Sequence, residues 1–355
     1  MGKLFVSVLI DTYNHERFIE EAIVSVLEQD FPASDREILV VDDGSTDRTP
    51  EIVRKFEPQV RLLRKENGGQ ASAFNAGIPE CKGEIIAFLD GDDWWAPAKL
   101  GRVVETMRAD AGIGMVGHGI VESFNDGRNK VVALDKPERL RLNTARASQV
   151  FRLHRAYLGT SRLILRAEIA RKILPIPEEL VFEADEYLFT VAGVLSEFVI
   201  LKDVLTHYRI HGGNLFLAAN RESNGLRRKQ RVLASLFRAL DRGLRANGAP
   251  EEVTDCVLEI VGAEAEQLRL TLDGGAPWET YHVERTIYRI QHADAAWRQR
   301  VFRQVTTIPA LLLPPRWFYA ARSWLASQPL YKKARNEFLP APGFTKIETH
   351  QHTQE

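Results

Sequence analysis

Ten consecutive residues constrain this chain more than any others: Glu84-Ile85-Ile86-Ala87-Phe88-Leu89-Asp90-Gly91-Asp92-Asp93. An apolar run of strand length stops abruptly in three carboxylates spaced around one glycine. Such a run, bounded by turn signals, fits a strand buried on both faces. Nothing in core packing requires Asp90, Asp92 and Asp93 at its end. Like charges that close repel unless a cation or a hydrogen-bonded ligand offsets them. Oxygen-rich clusters suit Mg²⁺ or Mn²⁺, and Mg²⁺ usually takes one or two carboxylates plus substrate phosphates. Alone, the stretch has a lesser alternative reading as an acidic surface turn.

Two more apolar runs finish the same way. Val6-Ser7-Val8-Leu9-Ile10 leads into Asp11-Thr12-Tyr13-Asn14, and Glu37-Ile38-Leu39-Val40-Val41 leads into Asp42-Asp43-Gly44-Ser45. Open α/β sheets bind ligands beyond the carboxyl ends of their strands. Three polar strand ends therefore favour one shared site over three solvated turns.

The intervening segments carry helical spacing. Ile19, Ile23, Val26 and Leu27 share one face, and Thr49 is placed to cap a helix with Pro50 at its first position. Val60–Leu63 reads as a strand, Gln70–Ala76 as a short helix after Asn67-Gly68-Gly69, and a further helix starts near Pro97. Alternating βαβαβ implies an α/β fold with a mainly parallel central sheet, right-handed crossovers and flanking helices. Strands are expected at 113–121 and 130–134 around Asn125-Asp126-Gly127, at Thr160–Leu165 and at 197–201, with helices over 147–156 and 183–195. Beyond residue 220 the pattern is helical only, at about 222–246, 250–272 and 278–304. The organisation expected is a catalytic domain over 1–218, a helical region over 219–340 and a flexible polar tail over 341–355.

Composition narrows the function. A formal net charge of −1 offers no general attraction to nucleic acid, and Cys81 and Cys256 make neither a disulfide framework nor a zinc pattern. No secretory signal pattern opens the sequence, and no run reaches the ~18 apolar residues of a membrane span. The expectation is a cytoplasmic protein, with the option of peripheral attachment to the inner face of the membrane. That option rests on residues 298–336, which hold eight Lys or Arg and no Asp or Glu, interleaved with Trp317, Phe318, Tyr319 and Trp324. Basic segments carrying aromatics suit a membrane interface. The competing reading is a helix packed on the protein with Trp317, Ala321 and Trp324 inward.

Four motifs occur in order: Asp11-Thr12-Tyr13-Asn14, Val41-Asp42-Asp43-Gly44-Ser45-Thr46-Asp47, Asn67-Gly68-Gly69-Gln70-Ala71-Ser72-Ala73-Phe74-Asn75-Ala76-Gly77 and Asp90-Gly91-Asp92-Asp93. Together they resemble the family 2 inverting glycosyltransferases of GT-A fold over residues 4–215. The resemblance implies a nucleotide-diphosphate sugar donor, a UDP-sugar first, with Mn²⁺ or Mg²⁺ as cofactor. The acceptor it implies is a glycan or lipid-linked hydroxyl in cell-envelope polysaccharide or glycolipid synthesis. It assigns Thr12, Tyr13, Asn14, Asp42, Asp43, Asn67, Gln70 and Asp90 to the donor, with Asp42 or Asp43 accepting from the base's imide N–H and Asp90 holding the ribose. It assigns Asp92 to the metal, and His211, in Tyr208-Arg209-Ile210-His211-Gly212-Gly213-Asn214, to the metal or the diphosphate. In Glu183-Ala184-Asp185-Glu186 it points to Asp185 as general base, with Glu186 as the alternate because Ala184 breaks the usual Glu-Asp pair. Two rivals stay open: a nucleotide-sugar-binding protein of this fold without turnover, and a sugar-nucleotide pyrophosphorylase. The second would want a Gly-rich basic loop after the first strand, where this chain has Asp11-Thr12-Tyr13-Asn14.

Overall fold

The computed structural model describes residues 4–211, 223–291 and 297–328. The tail at 341–355 lies outside the described residues. The first strands are β1 (Val6–Thr12), β2 (Arg36–Asp42), β3 (Arg61–Arg64) and β4 (Ile85–Asp90). They pair in the order β3-β2-β1-β4, all parallel. The connections carry α1 (Ile19–Leu27), α2 (Thr49–Arg54) and α3 (Gln70–Glu80).

Alternation along each strand explains why these runs are apolar throughout. Val8, Ile10, Ile38, Val40, Ile85, Ala87 and Leu89 fill a core on one sheet face, with α1 and α4 (Lys99–Ala109). Leu9, Leu39, Val41, Ile86 and Phe88 fill the other, with α3. A strand buried on both sides has no polar face to show.

The sheet then turns mixed. β9 (Ile164–Arg166) runs antiparallel to both β4 and β6 (Ile113–Phe124), and β6 lies parallel to β10 (Glu197–Ile210). Short strands β5 (Trp94–Trp95), β7 (Asn129–Val132) and β8 (Glu138–Leu140) complete ten strands by antiparallel pairing. Helices α5 (Ala145–His154), α6 (Ala167–Ile173) and α7 (Ala184–Leu195) lie between them.

Several boundaries depart from the sequence reading, for local reasons. Thr160–Arg162 is a 3₁₀ turn rather than the start of a strand, because the Thr160 and Ser161 polar groups bond to side chains instead of a ladder. Thr49 does not cap α2; the Asp47 carboxylate accepts from its N–H at 2.9 Å, while Thr49 Oγ1 accepts from His15 N. β10 runs on past 201 because β6 pairs with it to Ile210 across irregular register at Leu201–Thr206.

The rest is helical: α8 (Ser223–Ala246), α9 (Glu251–Asp273), α10 (Pro277–Gln291), α11 (Trp297–Thr307) and α12 (Pro315–Ser327). The helix expected over 278–304 is described at 277–291 and from 297 onward, and residues 292–296 lie outside the described residues. Leu236, Leu240 and Leu244 of α8 join the same core as Leu188 and Phe189 of α7. Among the described residues no helix is long and apolar enough to cross a membrane. Trp317 and Trp324 do not face inward: they are 72% and 63% exposed, while Phe318 is buried.

Candidate active site

Register sets the site. Asp11 of β1 lies opposite Asp90 of β4, and Thr12 opposite Asp42 of β2, so three parallel strands end level. The chain continues past β4 in a tight turn, with Asp93 N donating to the Asp90 carbonyl at 3.1 Å. Gly91 is required there, since a Cβ would lie 2.6 Å from Thr12 Oγ1 and 2.8 Å from His15 Nδ1.

Acids crowd together at these strand ends. Burial pushes Asp90 well above the usual carboxylate range, and Asp11, Asp93, Asp92 and Asp185 push it further. Asp11 is raised by burial and then by Asp185, and its Oδ1 is buried without a hydrogen bond. Neighbouring carboxylates that raise Asp11 and Asp90, and one orphaned oxygen on Asp11, are what a cationic or hydroxyl-bearing ligand would relieve. Burial and Asp92 push Asp93 up to about 7, and Asp93 Oδ1 accepts from Arg209 N at 2.9 Å.

Asp92 behaves differently. Burial opposes its ionisation, yet the hydrogen bond with His211 and the charges of His15 and His211 win and hold it low. Asp92 Oδ2 lies 2.9 Å from His211 Nε2, and the His211 ring rests against Phe18 at 4.7 Å between centroids. Arg209 Nε donates to the Asp92 carbonyl at 2.9 Å, with its guanidinium over Trp94.

Asp185 sits at the start of α7. Thr160 N and Oγ1 donate to its Oδ2 at 3.0 and 3.1 Å, and Glu186 N donates to its Oδ1 at 2.8 Å. Burial nevertheless raises its carboxyl above the ordinary value. Glu186, one residue on, turns the other way. It pairs with Arg152 and with Arg155 at 3.1 Å, and both arginines also pair with Glu264 of α9. Burial alone would raise Glu186, but the two arginines outweigh it and hold it down to about 2.

The remaining predicted residues form the wall beside β1 and β2. Tyr13 is 43% exposed. Asn14 adopts a positive φ of 57° and fastens the β2 loop, its Oδ1 accepting from Thr46 N at 2.8 Å. Asp42 accepts from Ser45 N at 3.0 Å; its Oδ2 has no hydrogen bond, although Arg64 Nε is 3.2 Å away. Asp43 is fully engaged in shaping a loop: Gly68 N, Gly69 N and Lys65 Nζ all donate to it, and Asn67 Nδ2 donates to its carbonyl. Gln70 also works within the protein, its Nε2 donating to Thr160 Oγ1 and its Oε1 accepting from Ala184 N, both at 3.0 Å.

Sequence reasoning gave no role to Asp11, His15, Lys99, Thr160, Ser161 or Arg209. Ser161 Oγ accepts from Asp90 N at 3.1 Å and donates to Asp90 Oδ2 at 3.2 Å. Lys99 Nζ, fully buried over the Trp95 ring, donates to the Ser161 carbonyl at 2.6 Å. Of these, Asp11 carried a sequence signal as an acid at a strand end, and Arg209 one as a neighbour of His211.

Among the described residues no group of three His, Cys, Asp or Glu side chains is set to hold a metal unaided. The ionised Asp92 beside the His211 nitrogen does fit a Mg²⁺ or Mn²⁺ that completes its shell with ligand phosphates.

A parallel half-sheet tipped with carboxylates and extended by antiparallel strands is the GT-A architecture. The family model for Glycosyl transferase family 2 matches residues 7–174. An uncharacterized glycosyltransferase of Nostoc sp. is 35% identical over 221 residues, which are 60% of this chain and 67% of that one. The chain belongs to glycosyl transferase family 2. Glycosyltransferase AglE of Haloferax volcanii is 31% identical over 51% of this chain and 59% of its own. Two solved structures share the fold at low identity. The Staphylococcus aureus TarS 1–349 complex with UDP-GlcNAc has a TM-score of 0.57 and 19% identity, over 87% of this chain and 89% of that one. The mannosyltransferase PcManGT of Pyrobaculum calidifontis, with GDP-Man and Mn²⁺, has a TM-score of 0.56 and 22% identity, over 96% and 86%.

Proposed function

We propose that this glycosyltransferase moves a sugar from a nucleoside-diphosphate sugar to an acceptor hydroxyl with inversion, assisted by Mn²⁺ or Mg²⁺. The observation that carries this is the pairing of two unlike carboxylates in one cluster of acids. Asp92 is held ionised beside His211, whereas Asp185 is raised and held by Thr160. Acid and base roles follow when environments push such groups apart.

In this reading the nucleotide lies along the wall formed by Thr12, Tyr13, Asn14 and the Asn67-Gly68-Gly69 loop. Asp42 Oδ2 accepts the imide N–H of a uracil-like base, a UDP-sugar being the first donor to try; Asp43 serves by shaping the glycine loop. Asp90, oriented by Ser161, meets the ribose hydroxyls. Asp92 and His211 would hold the divalent ion, which when bound stabilises charge on the departing diphosphate. Asp185 takes the proton as the acceptor oxygen attacks the anomeric carbon and the bond to the diphosphate breaks. One displacement inverts the anomer. Glu186 does not suit the role of base, because a carboxylate held at about 2 by two arginines is a weak one. The acceptor class implied by the family is a glycan or lipid-linked hydroxyl.

Comparable support comes from the fold neighbours, one solved with UDP-GlcNAc and one with GDP-Man and Mn²⁺. The test is a screen of UDP-, GDP- and dTDP-sugars for nucleotide release with and without Mn²⁺. Release that needs both a sugar donor and the metal supports transfer. Tight binding with no release for any donor would overturn it in favour of a binding protein.

A further inference from the structure

Nine of the twelve exposed large hydrophobic side chains among the described residues fall between Trp297 and Leu325. Single exposed apolar residues are ordinary, but contiguous ones mark an interaction surface. Here the ridge runs along α11, the 3₁₀ turn at Ile308–Leu311 and α12, and its most open members are Leu312 (76%), Trp317 (72%), Trp297 (66%) and Trp324 (63%).

The orientation of α12 is set from its opposite side. Phe318 is buried, Arg322 pairs with the nearly buried Glu284 of α10, and Arg316 donates to the Leu272 carbonyl at 2.6 Å. Positions 318 and 322 face the protein, so positions 317 and 324, seven apart, share the face turned away from it. Both indole rings are therefore held out by a docked helix.

The chemistry of the segment says what covers it. Residues 297–328 contain five arginines and no Asp or Glu; Arg316 and Arg322 contact the protein, and the other three, Arg298, Arg300 and Arg303, lie in α11. A stretch with Trp and Leu exposed and only positive charge matches the boundary between anionic headgroups and acyl chains, where indole rings settle and basic residues gain from the surface potential. We propose that α11, the 308–311 turn and α12 form an interfacial docking surface for an anionic phospholipid bilayer. The surface stands independently of the transfer reaction, because none of its residues belongs to the acid cluster.

The test uses the full chain with vesicles of phosphatidylcholine, with or without phosphatidylglycerol. Sedimentation should show binding that rises with phosphatidylglycerol and falls with salt, with a blue shift of tryptophan emission. The W317A/W324A double variant should bind roughly tenfold more weakly, with its thermal midpoint and its donor hydrolysis without vesicles unchanged. Asp185→Asn should bind vesicles like the parent, which separates this proposal from the catalytic one. Absence of vesicle binding, or binding unaffected by the double variant, overturns it. So does self-association lost in the double variant without lipid binding, which would assign the ridge to a second copy of this chain.

Discussion

Thr160 donates two hydrogen bonds to a single oxygen of Asp185, from its backbone N at 3.0 Å and its Oγ1 at 3.1 Å. Gln70 extends the link by donating to Thr160 Oγ1 and accepting from Ala184 N, so the starts of α3 and α7 and the 160–162 turn are joined around the proposed base. Glu186, its neighbour in sequence, belongs to a separate ion-pair cluster with Arg152, Arg155 and Glu264.

These two environments predict different failures. Asp185→Asn should lower turnover by roughly 10²–10⁴-fold, the usual worth of general base catalysis, with nucleotide binding retained by calorimetry. Glu186→Gln should instead destabilise the fold by about 3–5 kcal/mol, as breaking a buried ion pair does, seen as a lower urea midpoint. Reversal of the two phenotypes would move the base to Glu186.

The pH profile follows from the raised Asp185 carboxyl. A base must be ionised, so turnover should fall as pH drops through that raised value, placing the acid limb above the 3.8 of an ordinary aspartate. Thr160→Val removes a hydrogen bond that favours the ionised form. Its acid limb should move to higher pH, and kcat should fall about tenfold for ~1.5 kcal/mol lost, with the donor KM nearly unchanged. An acid limb that stays in place would show that Asp185 does not set it.

Metal dependence should divide between Asp92 and His211. Asp92→Ala should abolish Mn²⁺-stimulated nucleotide release. His211→Ala should raise the half-activating Mn²⁺ concentration by roughly tenfold or more, in line with losing a metal-supporting contact. A Mn²⁺ titration of donor hydrolysis reads both, and an unchanged titration in either variant removes that residue from the metal.

The glycine loop offers a structural check. Gly69 has φ +83°, and a Cβ there would lie 2.6 Å from Val181 Cα and 2.8 Å from its carbonyl oxygen. Gly69→Ala should cost about 1–3 kcal/mol of stability. It should also weaken donor binding, because the Gly69 N–H that braces Asp43 would shift. A wild-type melting curve and donor affinity would contradict the close packing described.

Local chemistry made much of this protein legible. The runs ending at Ile10, Val41 and Leu89 announce strands buried on both faces, because their apolar side chains fill a core on each side of the sheet. The acids at their ends stand out because packing has no need of them. What the chain order cannot carry is any contact between distant segments. Which of Asp185 and Glu186 joins the acids at the strand ends depends on Arg152 and Arg155, themselves paired with Glu264 of α9, claiming Glu186. Thr160–Arg162 reads as strand by composition, and becomes a turn because Asp90 and Asp185 draw its polar groups away from the ladder. The outward setting of Trp317 and Trp324 likewise follows from Phe318 and Arg322 finding their partners on the other side of the helix. Sequence by itself determines which segments are apolar and where charge breaks them. Only tertiary structure decides which neighbour satisfies each buried charge, because that energy arises between elements far apart along the chain.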